Sequence, residues 1–295
     1  MWLWIPFTLI GAAGQVARNA MQRGLTKPLG TLGATHIRFL FGFPFAALFL
    51  IGIVLVGGDR LPWPASGFWP WLVTGGMAQI IATALMLAAM NERSFVVTTA
   101  YLKTEAIQAA IFGFVFLSDH LTSVKVIAIL LATIGVVITA LRPGGAKGFG
   151  DLRPTMLGLV SASFFALSAV GYRGAILNVP DVSFVTAASV TLAMTLAMQS
   201  AVMTVYLVAR KPGVMSSIVR LWKPSMFAGF MGSFASLFWF LAFALTAAAN
   251  VRTLALVEVL FAQGVAYYGM KQPLSAREMS GIALILVGVG LLVAS

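Results

Sequence analysis

Two carboxylates stand where a carboxylate is costly. Glu105 and Glu258 each lie inside a long apolar stretch, and an ionisable group at membrane depth is a functional candidate by default. Either could bind a substrate ammonium or take up a coupling proton. Either could equally be a structural residue, with Lys103, Arg18 or Arg252 as the counter-charge. Lys103 is two residues from Glu105 and so points another way on a helix, which suits pairing elsewhere or snorkelling.

Polar and aromatic residues recur around these acids at helical spacing. Tyr101, Glu105, Gln108 and Phe112 would share one helix face, and Leu254, Glu258, Phe261 and Val265 would form the matching stripe. Nearby apolar stretches add Gln79, Thr83 and Met86, then Ser236, Trp239 and Phe243, then Gln15 and Asn19. The candidate substrate-binding residues are therefore Gln15, Gln79, Thr83, Tyr101, Glu105, Gln108, Phe112, Trp239, Phe243 and Glu258. A cavity they lined would be apolar and aromatic with a few amides and acids, which suits an amphipathic zwitterion with a hydrophobic side chain. A sugar or phosphate would need many donors or a basic cluster. Plain helix packing is the alternative role for each aromatic.

Chemistry of other kinds has little to work with. The chain shows no H-E-x-x-H, G-x-S-x-G or P-loop lysine motif. Its two histidines, His36 and His120, do not make a metal cluster by themselves, and there is no cysteine. The expectation is a protein that is not an enzyme and carries neither cofactor nor metal.

The elements that must position these residues follow from composition. Of 295 residues, 60% are hydrophobic and 9% charged, with a mean hydropathy of +0.98. A soluble domain cannot hide that much apolar surface. In lipid the backbone must satisfy itself, and apolar runs of about 20 residues without alternation select helices over a barrel. Ten spans are expected, near 2–23, 35–57, 68–90, 95–117, 123–141, 155–177, 183–209, 225–247, 251–270 and 276–294. Breakers such as Lys27-Pro28-Leu29-Gly30 and Arg210-Lys211-Pro212-Gly213 separate them. The first span lacks a basic leader and reads as a membrane helix, not a cleaved signal. Gly11, Gly14, Gly135, Gly281, Gly288 and Gly290 are expected at close helix contacts. The excess of 19 basic over eight acidic residues sits mainly in the loops after odd-numbered spans. That is the positive-inside pattern with both termini outside, and it argues for a lipid bilayer, not nucleic acid, as the surrounding partner.

The most linker-like stretch lies mid-chain, which invites a search for a repeat. A shift of 153 residues sets Tyr101-Leu-Lys-Thr-Glu105 on Leu254-Ala-Leu-Val-Glu258, Leu121-Thr122 on Leu274-Ser275, and Gly135 on Gly288. The expected fold is all-α integral membrane, ten transmembrane helices as two inverted five-helix repeats. Residues 1–142 form the first, 143–153 a linker and 154–295 the second. Five spans per half turns the second half upside down, an arrangement typical of transporters.

These tracts resemble the EamA family of the drug/metabolite transporter superfamily. Its fourth and ninth helices often carry Leu-Glu-Pro followed by Gly-Glu-x-Leu-Thr. Here the copies read Thr104-Glu105-Ala106 with Ser118-Asp119-His120-Leu121-Thr122, and Val257-Glu258-Val259 with Lys271-Gln272-Pro273-Leu274-Ser275. The glutamate and the spacing are kept; the proline and the Gly-Glu are not. Within the family the chain is most similar to the YddG-type exporters of aromatic and other hydrophobic amino acids. The resemblance implies multi-pass residence in a bacterial inner membrane and amino-acid export by alternating access. It leaves open whether export is proton-coupled. A cationic drug exporter on the same fold, or an intramembrane enzyme or scaffold, is the alternative.

Overall fold

The computed structural model of the chain describes residues 2–92, 98, 101–140, 152–260 and 275–295. In chain order its helices are α1 Trp4–Leu40, α2 Gly42–Gly57, α3 Phe68–Glu92, α4 Glu105–Leu117, α5 Ser123–Ala140 and α6 Leu152–Ile176. There follow α7 Phe184–Arg210, α8 Pro212–Arg220, α9 Trp222–Leu245, α10 Ala248–Leu254 with a 3-10 turn Ala255–Val257, and α11 Ala276–Ala294. No strand occurs among the described residues. The start of the fourth expected span, the end of the ninth with Phe261 and Val265, and residues 143–151 of the expected linker lie outside the described residues.

Lipid explains the distribution of side chains. Large apolar residues face outward, with Leu55, Val56 and Val205 among the most exposed, while Arg18, Arg38, Thr83 and Gln199 are buried. Six helices of the described residues are long and apolar enough to cross a membrane, and α4 and most of α5 are shorter apolar helices. This is a multi-pass, all-helical membrane protein.

α1 is not one rod. At Gly30 the backbone takes φ 69° and ψ 172°, a region essentially open only to glycine. The Gln22 side-chain amide donates to the Ala34 carbonyl at 2.9 Å, although a straight helix would hold those residues about 18 Å apart. The chain therefore folds back at Gly30, and its second limb runs on through Phe41 into α2. The first limb reaches to Gly30, beyond the expected end near residue 23. Arg18, which falls within the expected first span, lies well inside the helix and is buried. A second difference is α8, where a loop was expected. Pro212 opens it, as proline at a helix start can, and its Ile218 is fully buried while Val219 and Arg220 are exposed.

The most extensive packings join α3 to α6, α1 to α9 and α5 to α11, and α2 lies on α7 and α4 on α10. Exchanging the two halves turns the α1–α9 pair into the α6–α3 pair and returns the others to themselves. Small residues permit the closest of these contacts. A Cβ on Gly135 would lie 2.6 Å from the Gly281 carbonyl oxygen, and one on Gly288 would lie 2.6 Å from the Ala132 nitrogen. Gly11 and Gly14 meet Trp239 and Ala235 of α9, whereas Gly290 faces open space. Thr122 and Ser275, matched by the 153-residue shift, make matched caps: their hydroxyls accept from the amides of Lys125 and Glu278.

Candidate substrate chamber

Both halves converge on one small space. The two limbs of α1 supply Gln15, Arg18 and Arg38, and α3 supplies Gln79. Phe165 and Tyr172 come from α6, Ser236, Trp239, Phe240 and Phe243 from α9, and Arg252 from α10. The hairpin at Gly30 is what brings Arg18 and Arg38 together. The space measures about 10 Å³, room for roughly one water molecule, so a solute enters only when the surrounding helices part.

The charges around it are arranged across the halves. Arg252 Nη1 lies 3.3 Å from Glu105 Oε1, and Lys103 pairs with Glu258. Each acid thus takes its counter-charge from the other half, and all four side chains are buried. The Arg252 guanidinium also lies 4.6 Å from the Trp239 ring centroid and 5.3 Å from that of Phe243, a cation–π arrangement that desolvation strengthens. Those two rings stack at 22° with centroids 6.2 Å apart.

Arg18 and Arg38 are different. Arg18 donates to Asn19 Oδ1 at 2.8 and 3.2 Å, and Arg38 to Thr83 Oγ1 at 3.3 Å. Neither has a carboxylate within ion-pair distance among the described residues. Their stems pass over Gly232 of α9, where a Cβ would lie 3.2 Å from Arg38 Cγ and 3.6 Å from Arg18 Cδ. Behind them Tyr172 donates to Gln79 Oε1 at 2.8 Å, and Gln199 donates to the Gly76 carbonyl at 2.9 Å and to Gln79 Oε1 at 3.2 Å. This net fixes the α3–α6–α7 wall.

Of the residues expected at a site, Gln15, Gln79, Trp239 and Phe243 line the space. Thr83 stands behind Arg38. Glu105 and Glu258 do not line the space; Glu105 pairs with Arg252, which does, and Glu258 with Lys103, which does not. Tyr101, Gln108 and Phe112 line no part of it: the Tyr101 hydroxyl is 2.9 Å from Thr155 Oγ1, Gln108 donates to Thr104 Oγ1 at 3.3 Å, and Phe112 packs beside Phe116. The expected stripe assumed an unbroken helix from 101 to 112, but residues 103–104 form a turn that ends the common face. The second half departs from α-helix at the equivalent place, Ala255–Val257, just before Glu258. Reading the sequence named Arg18 and Arg252 only as possible counter-charges of the glutamates, a role Arg252 fills for Glu105; it missed Arg38 and the clustering of all three, whose signal was three arginines within expected spans.

One end of the bundle is tied shut. Arg173 of α6 donates to the carbonyls of Phe243 at 2.8 Å and Thr246 at 2.6 Å, capping the C-terminal end of α9, and lies 3.6 Å from Asp119. Burial pushes the Asp119 carboxyl up from its ordinary value, against the pull of Arg173. At the same end Asp59 accepts from the Ser183 and Thr186 hydroxyls at 2.7 and 2.6 Å, joining the end of α2 to the start of α7.

Comparison with known proteins adds identity to this geometry. Residues 2–141 match the EamA-like transporter family. No curated protein matches the chain. A solved crystal structure aligns over 98% of this chain and 98% of its own, with a TM-score of 0.65 at 17% identity. That likeness shows a fold shared with the solved structure over nearly the whole chain.

Proposed function

We propose, from the EamA match over residues 2–141 and the charged chamber that those residues help to line, that this drug/metabolite-superfamily membrane transporter exports aromatic and other hydrophobic amino acids by alternating access, from a bacterial cytoplasm across the inner membrane. The reading takes residues 1–142 and 154–295 as inverted five-helix repeats about the linker 143–153. The half-exchanging packing pattern, the matched caps at Thr122 and Ser275, and the matched backbone breaks before Glu105 and Glu258 support it. Its carrying observation is the closed chamber at the joint of the halves, lined by Trp239, Phe240 and Phe243 beside buried guanidinium groups. Rocking one half against the other would open that space to either side in turn.

Trp239 and Phe243 would hold the apolar side chain, with Gln15 and Gln79 at its polar end. Glu105 and Glu258 would act through the ion pairs they lend and release as the halves move. The balance of charge argues against the cationic-drug alternative: Arg18, Arg38, Arg252 and Lys103 face only Glu105 and Glu258.

Purified protein in liposomes loaded with labelled phenylalanine, tryptophan or threonine tests the proposal. Efflux above protein-free vesicles is expected. Absence of flux for every amino acid would sink it. Flux that ignores an imposed proton gradient would identify a facilitator.

A further inference from the structure

Resting on that transport reading and sharpening it, we infer that the chamber recognises its solute by a carboxylate held on Arg18, Arg38 and Arg252, and does not require an ammonium. Arylalkyl carboxylates are then full substrates, and amino acids are carried because they too present that group.

The argument starts from donors without acceptors. Arg18, Arg38 and Arg252 are at most 5% exposed and share the wall of one space. Guanidinium stays charged at any physiological pH, and a buried charge without a partner is strongly unfavourable. Glu105 compensates Arg252 and Glu258 compensates Lys103, so the charge of Arg18 and Arg38 remains. The Nε atoms of Arg38 and Arg252 and the indole Nε1 of Trp239 are buried with no hydrogen-bond partner. Every one is an N–H donor. A planar carboxylate is the group that a guanidinium fork binds best.

A substrate ammonium finds the reverse. Each membrane carboxylate is paired with a cation and neither lines the space, although Glu258 Oε2 has no hydrogen-bond partner, and the faces of Trp239 and Phe243 are already turned to Arg252. Meanwhile Phe165 and Phe240 leave an aromatic wall for an apolar body. Charge is read at one end and hydrophobicity at the other.

Full-length protein in lipid nanodiscs is heated with phenylalanine, phenylpropionate, phenylethylamine, acetate or inorganic phosphate at equal concentration and ionic strength. Phenylpropionate and phenylalanine should raise the unfolding temperature, acetate and phosphate far less, and phenylethylamine not at all. Arg38→Gln should weaken phenylpropionate binding by about tenfold or more, the expected loss of a charged hydrogen bond, with Arg38→Lys intermediate. The wild-type order of probes decides even if a variant fails to fold. Phenylethylamine stabilising as well as phenylpropionate would overturn the inference. So would phosphate or acetate matching it, or no probe binding. Liposome flux separates the two readings. If phenylalanine flux is blocked by phenylethylamine and not by phenylpropionate, carboxylate recognition fails while transport stands. If phenylpropionate and phenylalanine both bind, the other probes do not, and nothing is carried, recognition stands while transport fails.

Discussion

At the scale of the residue, the decisive feature is that each membrane glutamate is neutralised from the other half. Lys103 and Glu258 are both buried, and removing one member of such a pair leaves an uncompensated charge at a cost of about 3–5 kcal/mol. Glu258→Leu or Lys103→Met alone should therefore lower thermal stability sharply in detergent. The double variant should recover most of the loss, because replacing both charges by apolar groups of similar volume can be close to neutral. If the double variant is as unstable as the sum of the singles, the pair is not coupled in this way. Asp59 offers a pH test at the surface. Hydrogen bonds from the Ser183 side chain, the Thr186 hydroxyl and the Ser183 amide hold its carboxyl below the ordinary 3.8. A carboxyl lowered on folding contributes stability above its unfolded value and loses it as pH falls through its folded one. Asp59→Asn should thus be less stable at neutral pH, with the deficit closing as pH drops below the ordinary carboxylate value. Parallel melting curves across pH would contradict this. The acids of the chamber were legible in the sequence because a carboxylate inside an apolar run is conspicuous. Arg18 and Arg252 were legible only as possible counter-charges and Arg38 not at all, because basic residues at the end of an apolar run normally mark the membrane surface.

At the scale of the element, glycine geometry carries the folding-back of α1 and the seam between α5 and α11. Gly30 sits at φ 69° and ψ 172°. Gly30→Ala should destabilise by about 1–3 kcal/mol through backbone strain alone, since nothing lies within 4 Å of a Cβ there. A melting temperature unchanged from wild type would show that the hairpin bends elsewhere. Gly135→Val is a packing change of another kind. Its side chain would meet the Gly281 carbonyl and the Ile285 backbone nitrogen, neither of which can move aside, so a loss of at least about 1–3 kcal/mol is expected. Several helix boundaries were readable from hydropathy, α3 and α11 almost to the residue. Helical hairpins and surface helices are harder to read. Pro28 and Gly30 signal a break but not its direction, and α8 is short, amphipathic and flanked by the same breakers that mark a loop.

At the scale of the whole molecule, the chamber is closed and the end tied by Arg173 is sealed by three contacts from one guanidinium. The chain contains no cysteine, so a single Ser236→Cys substitution reports on the chamber without a background. A small charged thiol reagent should label it slowly in the resting protein. Labelling should quicken under transport conditions and be reachable from both faces of a proteoliposome across a cycle. Fast labelling from one face only, with flux intact, would argue against alternating access through this space.

The crossed neutralisation of Glu105 and Glu258 also bears on whether the two halves could exist apart. Under the 153-residue correspondence, the partner of Lys103 is Leu256 and the partner of Arg252 is Thr99. Two identical copies would have carried both cations or neither. Each half of the chain holds one acid and one cation, yet each acid is paired with the cation of the other half. Either half taken alone would leave its glutamate without the cation it pairs with in the whole chain, so the two are expected to be stable only together.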